Sequence, residues 1–406
     1  MMPVEYNVNY YIKKEQSISD SSLKVFYNIF FFLILFPYVS FGLPAVSDAQ
    51  PWAVIFAIPL LLFNVIEKKQ IPKILWIFWF LTLVSIVNFS LFFIFEGGTL
   101  VAYMRSVFKY LSFAIILPTS FFALKYLSFK YYGFAVFLWF LVANLQLITK
   151  SPLFVEYIVS NVRYNVGRGS YVLGFASEPA YLGRMGIVFI MINEFLGLRN
   201  PQNGFFRFVL FSISLEMIII SFSITGYVSL FVYLFVKLLF LLIDKRKRIL
   251  KIFAATSFIF MGIILYYFLD PQFFYKFGRV GNFILKGMEH GFMNSLLEDH
   301  SFQTAISEIK LVFQGFRFLG NGIPEGRSAS IASIFSMSYD VGIYGVLLMV
   351  VIIVIFFKGI KKSDSSNERF FLINLFIMFF LMVMVDTVSL PYLPFLLAIP
   401  LVLSKN

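Results

Sequence analysis

Residues 226–248 read GYVSLFVYLFVKLLFLLIDKRKR, and this stretch decides the fold class. An almost unbroken apolar run, 226–243, ends in a cluster of basic residues, Lys245, Arg246, Lys247 and Arg248. A helix rises about 1.5 Å per residue, so roughly 20 apolar residues cross the hydrocarbon core of a bilayer. Runs that meet or approach that length recur along the chain, at 24–43, 51–66, 74–95, 107–126, 132–149, 178–198, 205–222, 226–243, 251–269, 340–358, 370–388 and 390–404. The second and last are short, and the last carries Pro391, Pro394 and Pro400, which points to a broken or tilted helix. The expected fold is an all-α polytopic membrane protein of about 12 transmembrane helices, with residues 1–406 as one integral membrane unit.

Composition agrees. Of 406 residues 60% are hydrophobic and 13% charged, and mean hydropathy is +0.86. A soluble domain carries nearer a quarter charged residues, so lipid is the expected solvent and a soluble enzyme is excluded. The 56 Phe suit acyl chains and the 22 Tyr suit the headgroup level. Cysteine is absent, which excludes disulfides, thiolate zinc sites and a thiol nucleophile. Residues 1–22 are polar, and the first apolar run is longer than a signal core, so it reads as an uncleaved anchor despite Ala45-Val46-Ser47.

The net charge of +12 is first of all an orientation signal. Twenty of the 33 basic residues flank connections on one side, from Lys13 and Lys14 to Lys405. On the other side the connections 44–50, 223–225 and that near 389 hold none, and 96–106 holds only Arg105. The positive-inside rule then puts both termini in the cytoplasm, with 1–22 as a cytoplasmic tail, and nucleic acid is not needed to explain the charge. Two long connections, 150–177 and 270–339, fall outside, and long loops usually exist for function. Within the second, Phe302, Ala305, Ile306, Ile309 and Phe313 recur at helical spacing opposite Gln303, Ser307, Lys310 and Gln314. That pattern predicts an amphipathic helix over 301–314 lying on the membrane surface.

Charges inside a bilayer are costly and usually functional. Arg105, Lys109, Glu178, Arg184, Glu216 and Asp386 gather toward the outer face, whereas Glu194 and Lys237 lie nearer the inner ends, where snorkelling accounts for them. Arg184 and Glu216 reach the same expected depth, about 9 Å below the interface, as a functional pair or as an ion pair that fixes helix register. Before the sixth span, Arg163 and Arg168 sit among glycines, and a helix is predicted to start at Ser177-Glu178-Pro179. Free N–H groups at a helix start and two forked guanidiniums suit a pyrophosphate; contact with lipid phosphates is the other reading. The only histidines, in Glu289-His290 and Glu298-Asp299-His300, could act as general base or sit solvated, and their spacing fits no zinc signature. Lys310, Arg317, Arg327 and Gly320-Asn-Gly322 add cations and a tight turn to the late loop, whose positive and negative charges cancel. No P-loop, H-E-x-x-H or D-x-D cluster is present, which disfavours ATP-driven transport and nucleotide-sugar transfer.

The outer loop running into Phe175-Ala-Ser177-Glu178-Pro179-Ala180-Tyr181 resembles the "SEPS" stretch of O-antigen polymerases of the Wzy type. Phe318-Leu-Gly320-Asn-Gly322 and Ser336-Met-Ser-Tyr-Asp340-Val-Gly342-Ile-Tyr-Gly345 are similar to that family's late outer loop. Span number, topology and loop positions also agree. Some members carry Arg, ten residues, then Gly in both loops; Arg163 to Gly174 has that spacing, while no Arg matches in the late loop and Lys310 comes closest. The resemblance implies a glycosyltransferase of the C-type group in the bacterial inner membrane. Such an enzyme joins oligosaccharide repeat units carried on undecaprenyl pyrophosphate at the periplasmic face, without nucleotide, cofactor or metal. Membrane lipids surround it, and a flippase and a chain-length regulator are its expected pathway partners. On that chemistry Arg163 and Arg168, with Arg184, neutralise the departing pyrophosphate. Glu178 deprotonates the acceptor, with His300 as runner-up, or else only orients the arginines. Arg105, Tyr181, Arg184, Lys310, Arg317 and Arg327 are the expected substrate-binding set.

Two rivals remain. An O-antigen ligase shares the helical core, but its His-Asn pair has no counterpart in 328–340, which lacks histidine. A lipid-linked sugar flippase should show internal symmetry and short loops on both sides, unlike this chain.

Overall fold

The computed structural model describes residues 23–40, 52–67, 71–97, 99–159, 162–163, 172–201, 203–243, 286, 289–291, 303, 310, 314–315, 317–321, 335–363, 365–385 and 390–404. The helices in chain order are α1 (Leu23–Leu35), α2 (Trp52–Ile66), α3 (Lys73–Glu96), α4 (Leu100–Ala123), α5 (Phe129–Thr149), the single turn α6 (Val155–Ile158), α7 (Pro179–Arg199), α8 (Gly204–Ile220) and α9 (Ile224–Ile243). After the late loop come α10 (Phe335–Val341), α11 (Ile343–Lys362), α12 (Ser366–Val385) and α13 (Tyr392–Leu403). No strand occurs among the described residues, only one isolated bridge between Val39 and Val159. The run 251–269 lies outside the described residues; the other apolar runs each carry a helix. Among the described residues, six helices are long and apolar enough to cross a membrane, and α1, α2, most of α9 and α13 are shorter apolar helices. The protein is an all-helical membrane protein.

Several boundaries differ from those the hydropathy predicts. The first run is helical only to Leu35, with a turn at Pro37-Tyr38. The connection expected over 96–106 shrinks, because α4 begins at Leu100 and takes Arg105 into the helix. The run at 340–358 is broken at Gly342, whose φ of 58° closes α10 before α11 starts. A continuous apolar stretch carries no mark of such a break. Of the surface helix expected over 301–314, the described residues Gln303, Lys310 and Gln314 are helical and exposed, and the rest lies outside the described residues.

Burial follows the two solvents that a membrane helix meets. On α3, Leu75, Phe78 and Phe89 face the protein while Trp76, Phe80, Leu83 and Ile94 stay exposed. In water that second face would be costly; against acyl chains it is satisfied. Two helices are buried on nearly all sides. α7 is buried from Tyr181 to Gly197 except at Glu194, among α8, α9 and α12. α13, with only 12 residues, is buried from Tyr392 to Leu401 against α4, α11 and α12. At about 1.5 Å per residue it is shorter than the hydrocarbon core, and its prolines shorten the hydrogen-bonded stretch. α7 holds its central place through small residues. A Cβ on Gly183 would stand 3.1 Å from the Gly226 Cα of α9, so the two backbones cross with nothing between them.

Connections meet at two ends. At the loop end Val39 bridges Val159, Tyr38 stacks on Tyr181 and Asn88 donates to the Leu319 carbonyl at 2.5 Å. At the opposite end Arg199 donates to the Leu124 and Lys125 carbonyls, in the turn that follows α4, at 2.5 and 3.2 Å. Nearer that end Glu194 and Lys237 form an ion pair between α7 and α9, and the Tyr233 hydroxyl donates to the same carboxylate oxygen at 2.6 Å. Snorkelling alone therefore does not describe these two residues: each is held by a partner across the helix interface.

Candidate functional site

The start of α7 carries the first part of the site. Glu178 is its N-cap in extended backbone (φ −154°, ψ 158°), followed by Pro179 at the first helical position. Proline suits that position, because its missing N–H is one the helix would leave unbonded anyway. The Glu178 side chain makes no capping hydrogen bond, so the half-buried carboxylate is not spent on its own helix. The Arg163 N–H donates to the Ser177 carbonyl at 2.6 Å, which ties the backbone of this exposed residue to the helix start. Upstream, the Ser40 N–H and hydroxyl both donate to the Ile158 carbonyl, at 2.6 and 3.0 Å, and Trp52 Nε1 donates to the Val39 carbonyl at 2.9 Å. The turn at 155–159 is thereby tied to the residues that follow α1. Arg168 lies outside the described residues.

One turn inside α7, Arg184 is 5% exposed. Its guanidinium lies 4.3 Å over the Tyr181 ring, and Nε donates to the Ala180 carbonyl at 3.2 Å. Tyr181 stacks on Tyr38 at 4.9 Å, and Tyr38 and Tyr392 are fully buried. The expected ion pair between Arg184 and Glu216 does not occur among the described residues; Glu216 is half-buried on α8. Tertiary packing puts an aromatic face where equal depth suggests a carboxylate. Cation–π attraction to the Tyr181 ring is one of the contacts that hold this guanidinium in a dry place.

The late loop supplies the second part. Asp340 accepts from Lys109 Nζ at 3.4 Å and from the Tyr110 hydroxyl at 3.5 Å. Burial of Asp340, which precedes the spanning stretch of α11, pushes its carboxyl above the usual range, and Lys109 and then Tyr110 pull it back. Around it the backbone is knotted: the Asn321 N–H donates to the Tyr339 carbonyl and the Ile343 N–H to the Phe318 carbonyl, each at 2.9 Å. The Asn321 side chain donates to the carbonyls of Gly315 at 2.6 Å and Tyr339 at 3.3 Å. The two phrases that carry the late-loop resemblance are thus one structural unit, braced on α3 by Asn88 and on α4 by Lys109. Sequence reasoning picks out Lys109 and Asp340 separately but not their pairing, because 231 residues separate them. Tyr38 and Tyr392 carry no sequence signal at all beyond their aromatic type.

Of the remaining expected residues, Lys310 and Arg317 are exposed. Arg105 falls in α4 with its side chain outside the described residues, and Arg327 and His300 lie outside them too. His290 stands 3.8 Å from Glu289 with both side chains about two-thirds exposed, a solvated neighbour pair. Among the described residues no cluster of His, Asp and Glu could hold a metal ion. Chemically, the loop end offers the exposed cation Arg163, a helix start and a carboxylate not engaged in capping, which suits an anionic ligand and a proton transfer. Protein-family models and curated proteins, searched for likeness to this chain, return no match.

Proposed function

We propose that this protein is a polysaccharide polymerase. It joins oligosaccharide repeat units carried on undecaprenyl pyrophosphate, with its loop end at the periplasmic face of a bacterial inner membrane and both termini in the cytoplasm. One observation carries the reading: the Arg163 backbone is bonded to Ser177 at the start of α7, next to a Glu178 carboxylate that does not cap its helix. In the reaction an acceptor hydroxyl oxygen bonds to the anomeric carbon of the growing chain while the bond from that carbon to the pyrophosphate oxygen breaks. The hydroxyl proton passes to Glu178, and the new negative charge stays on the lipid pyrophosphate, facing Arg163 and Arg168 and the N–H groups of the helix start. Arg184 lies behind Tyr181 and contributes positive potential rather than contact. A flippase would supply the substrate, and a chain-length regulator would set when the product leaves.

Deleting the gene tests this. The expected outcome is surface glycan capped at a single repeat unit. Loss of all glycan points instead to a flippase, and polymer stranded on its lipid points to a ligase. Arg163→Ala and Glu178→Ala should each reproduce the single-unit pattern at normal protein level; normal polymerisation in both would remove the site assignment.

A further inference from the structure

Gln146 lies near the end of α5, fully buried, in a membrane helix whose other buried residues are mostly apolar or aromatic. Its side-chain amide is used completely. Oε1 accepts from the N–H groups of Leu173 and Gly174, both at 2.8 Å. Nε2 donates to the carbonyls of Pro152 at 3.0 Å and Gly174 at 3.2 Å. Two lone pairs and two N–H groups are the whole capacity of an amide, and the neighbours fix which way it points, since a flipped amide would set donor against donor. Gly174 completes the joint. Its φ is 59°, and a Cβ there would lie 2.7 Å from the Trp139 ring of the same helix, while Trp139 Nε1 donates to the Leu35 carbonyl at 3.0 Å. One side chain therefore joins Pro152 to Leu173 and Gly174, at the two ends of the stretch that holds Arg163 and Arg168.

We propose that Gln146 is a positioning residue: its amide closes the base of this stretch and so sets where Arg163 meets the start of α7. The reactive role of Arg163 rests on the polymerase reading; the closure does not. Leucine at 146 fills similar space but makes none of the four bonds. Glutamate is more informative. Protonated, it offers a carbonyl oxygen to Leu173 and Gly174 and an O–H to Pro152, close to what glutamine does. Ionised, it faces the Pro152 and Gly174 carbonyls with negative charge and opens the joint.

The chain has no cysteine, so a single Tyr157→Cys in the full-length protein takes one nitroxide label at a residue 78% exposed within the enclosed stretch. Trp76→Cys on the lipid-facing side of α3 serves as control. Gln146→Leu should speed the label motion at 157 at least twofold and leave the label at 76 unchanged. Gln146→Glu should behave like Gln146→Leu at high pH and return toward wild type as the pH falls, while wild type and Gln146→Leu stay flat. In cells Gln146→Leu should give the single-unit glycan at normal protein level. Unchanged motion at 157, or a Gln146→Glu label indifferent to pH, overturns the closure, and the glutamate variant decides this even if the leucine variant fails to fold. A loosened stretch with full-length polymer, in a strain where Arg163→Ala gives single units, overturns the positioning role. If Arg163→Ala polymerises normally, the polymerase site falls and the label measurements alone decide the closure.

Discussion

The two loops at the loop end are anchored by different chemistry. Among the described residues, the bonds that anchor the early one, 150–177, come from neutral groups: backbone bonds from Ser40 and Arg163, and the fully used amide of Gln146. The late one is held by a backbone knot between 317–321 and 339–343, with the Lys109–Asp340 ion pair beside it. A neutral amide with every hydrogen bond made costs little to bury. A buried ion pair must first repay the desolvation of both charges, so it specifies where Asp340 sits more than it adds net stability. The contrast assigns two jobs. The early anchor, as described, rests on neutral groups and ties Arg163 to the start of α7, while the late anchor fixes register and is exposed to the state of one carboxylate.

The comparison is broken or sharpened most by backbone changes. Gly342→Ala demands a Cβ 2.2 Å from the Phe318 carbonyl oxygen at a φ of 58°. Backbone cannot step aside, so the expected loss is about 4 kcal/mol, read as a lowered unfolding midpoint in detergent. At the early anchor, Gly174→Ala meets a Trp139 ring edge and not backbone, and about 3 kcal/mol is expected by the same measurement. An equal or larger loss at Gly174 would mean the early anchor is the more rigid. Asp340→Ala, which leaves Lys109 without its partner, should cost about 2 kcal/mol, and adding Lys109→Met should recover at least half of it. A neutral Asp340→Ala would remove the charged half of the contrast. Asn88→Ala, which deletes a single bond to the Leu319 carbonyl, should cost about 1 kcal/mol. Smallest of all, Glu194→Gln at the far end keeps an acceptor for Tyr233 and leaves a half-exposed Lys237, and under about 1 kcal/mol is expected.

Legibility in the sequence tracked the range of the forces involved. Helices were readable because a spanning segment must satisfy its own backbone and present apolar side chains to lipid, a demand written into 20 consecutive residues or so. The start of α7 at Pro179 was readable for the same local reason, since Ser177-Glu178-Pro179 is a helix-start pattern. The break at Gly342 was not, because a glycine in an apolar run looks alike whether it packs a helix or ends one. The Arg184 site shows the limit most plainly. Depth arithmetic set Glu216 opposite it, yet depth leaves rotation about the helix axis free, and packing turned the guanidinium onto Tyr181.

Sequence by itself determined that this chain belongs in lipid, where its helices run, and which loops collect its cations, because hydropathy and charge act residue by residue along the chain. Only the tertiary structure decided which of those groups meet. It paired Lys109 with Asp340, laid Arg184 over the Tyr181 ring and set Gln146 between the two ends of the early loop. Those partners are chosen by how helices rotate and pack, and that choice depends on every neighbouring helix at once.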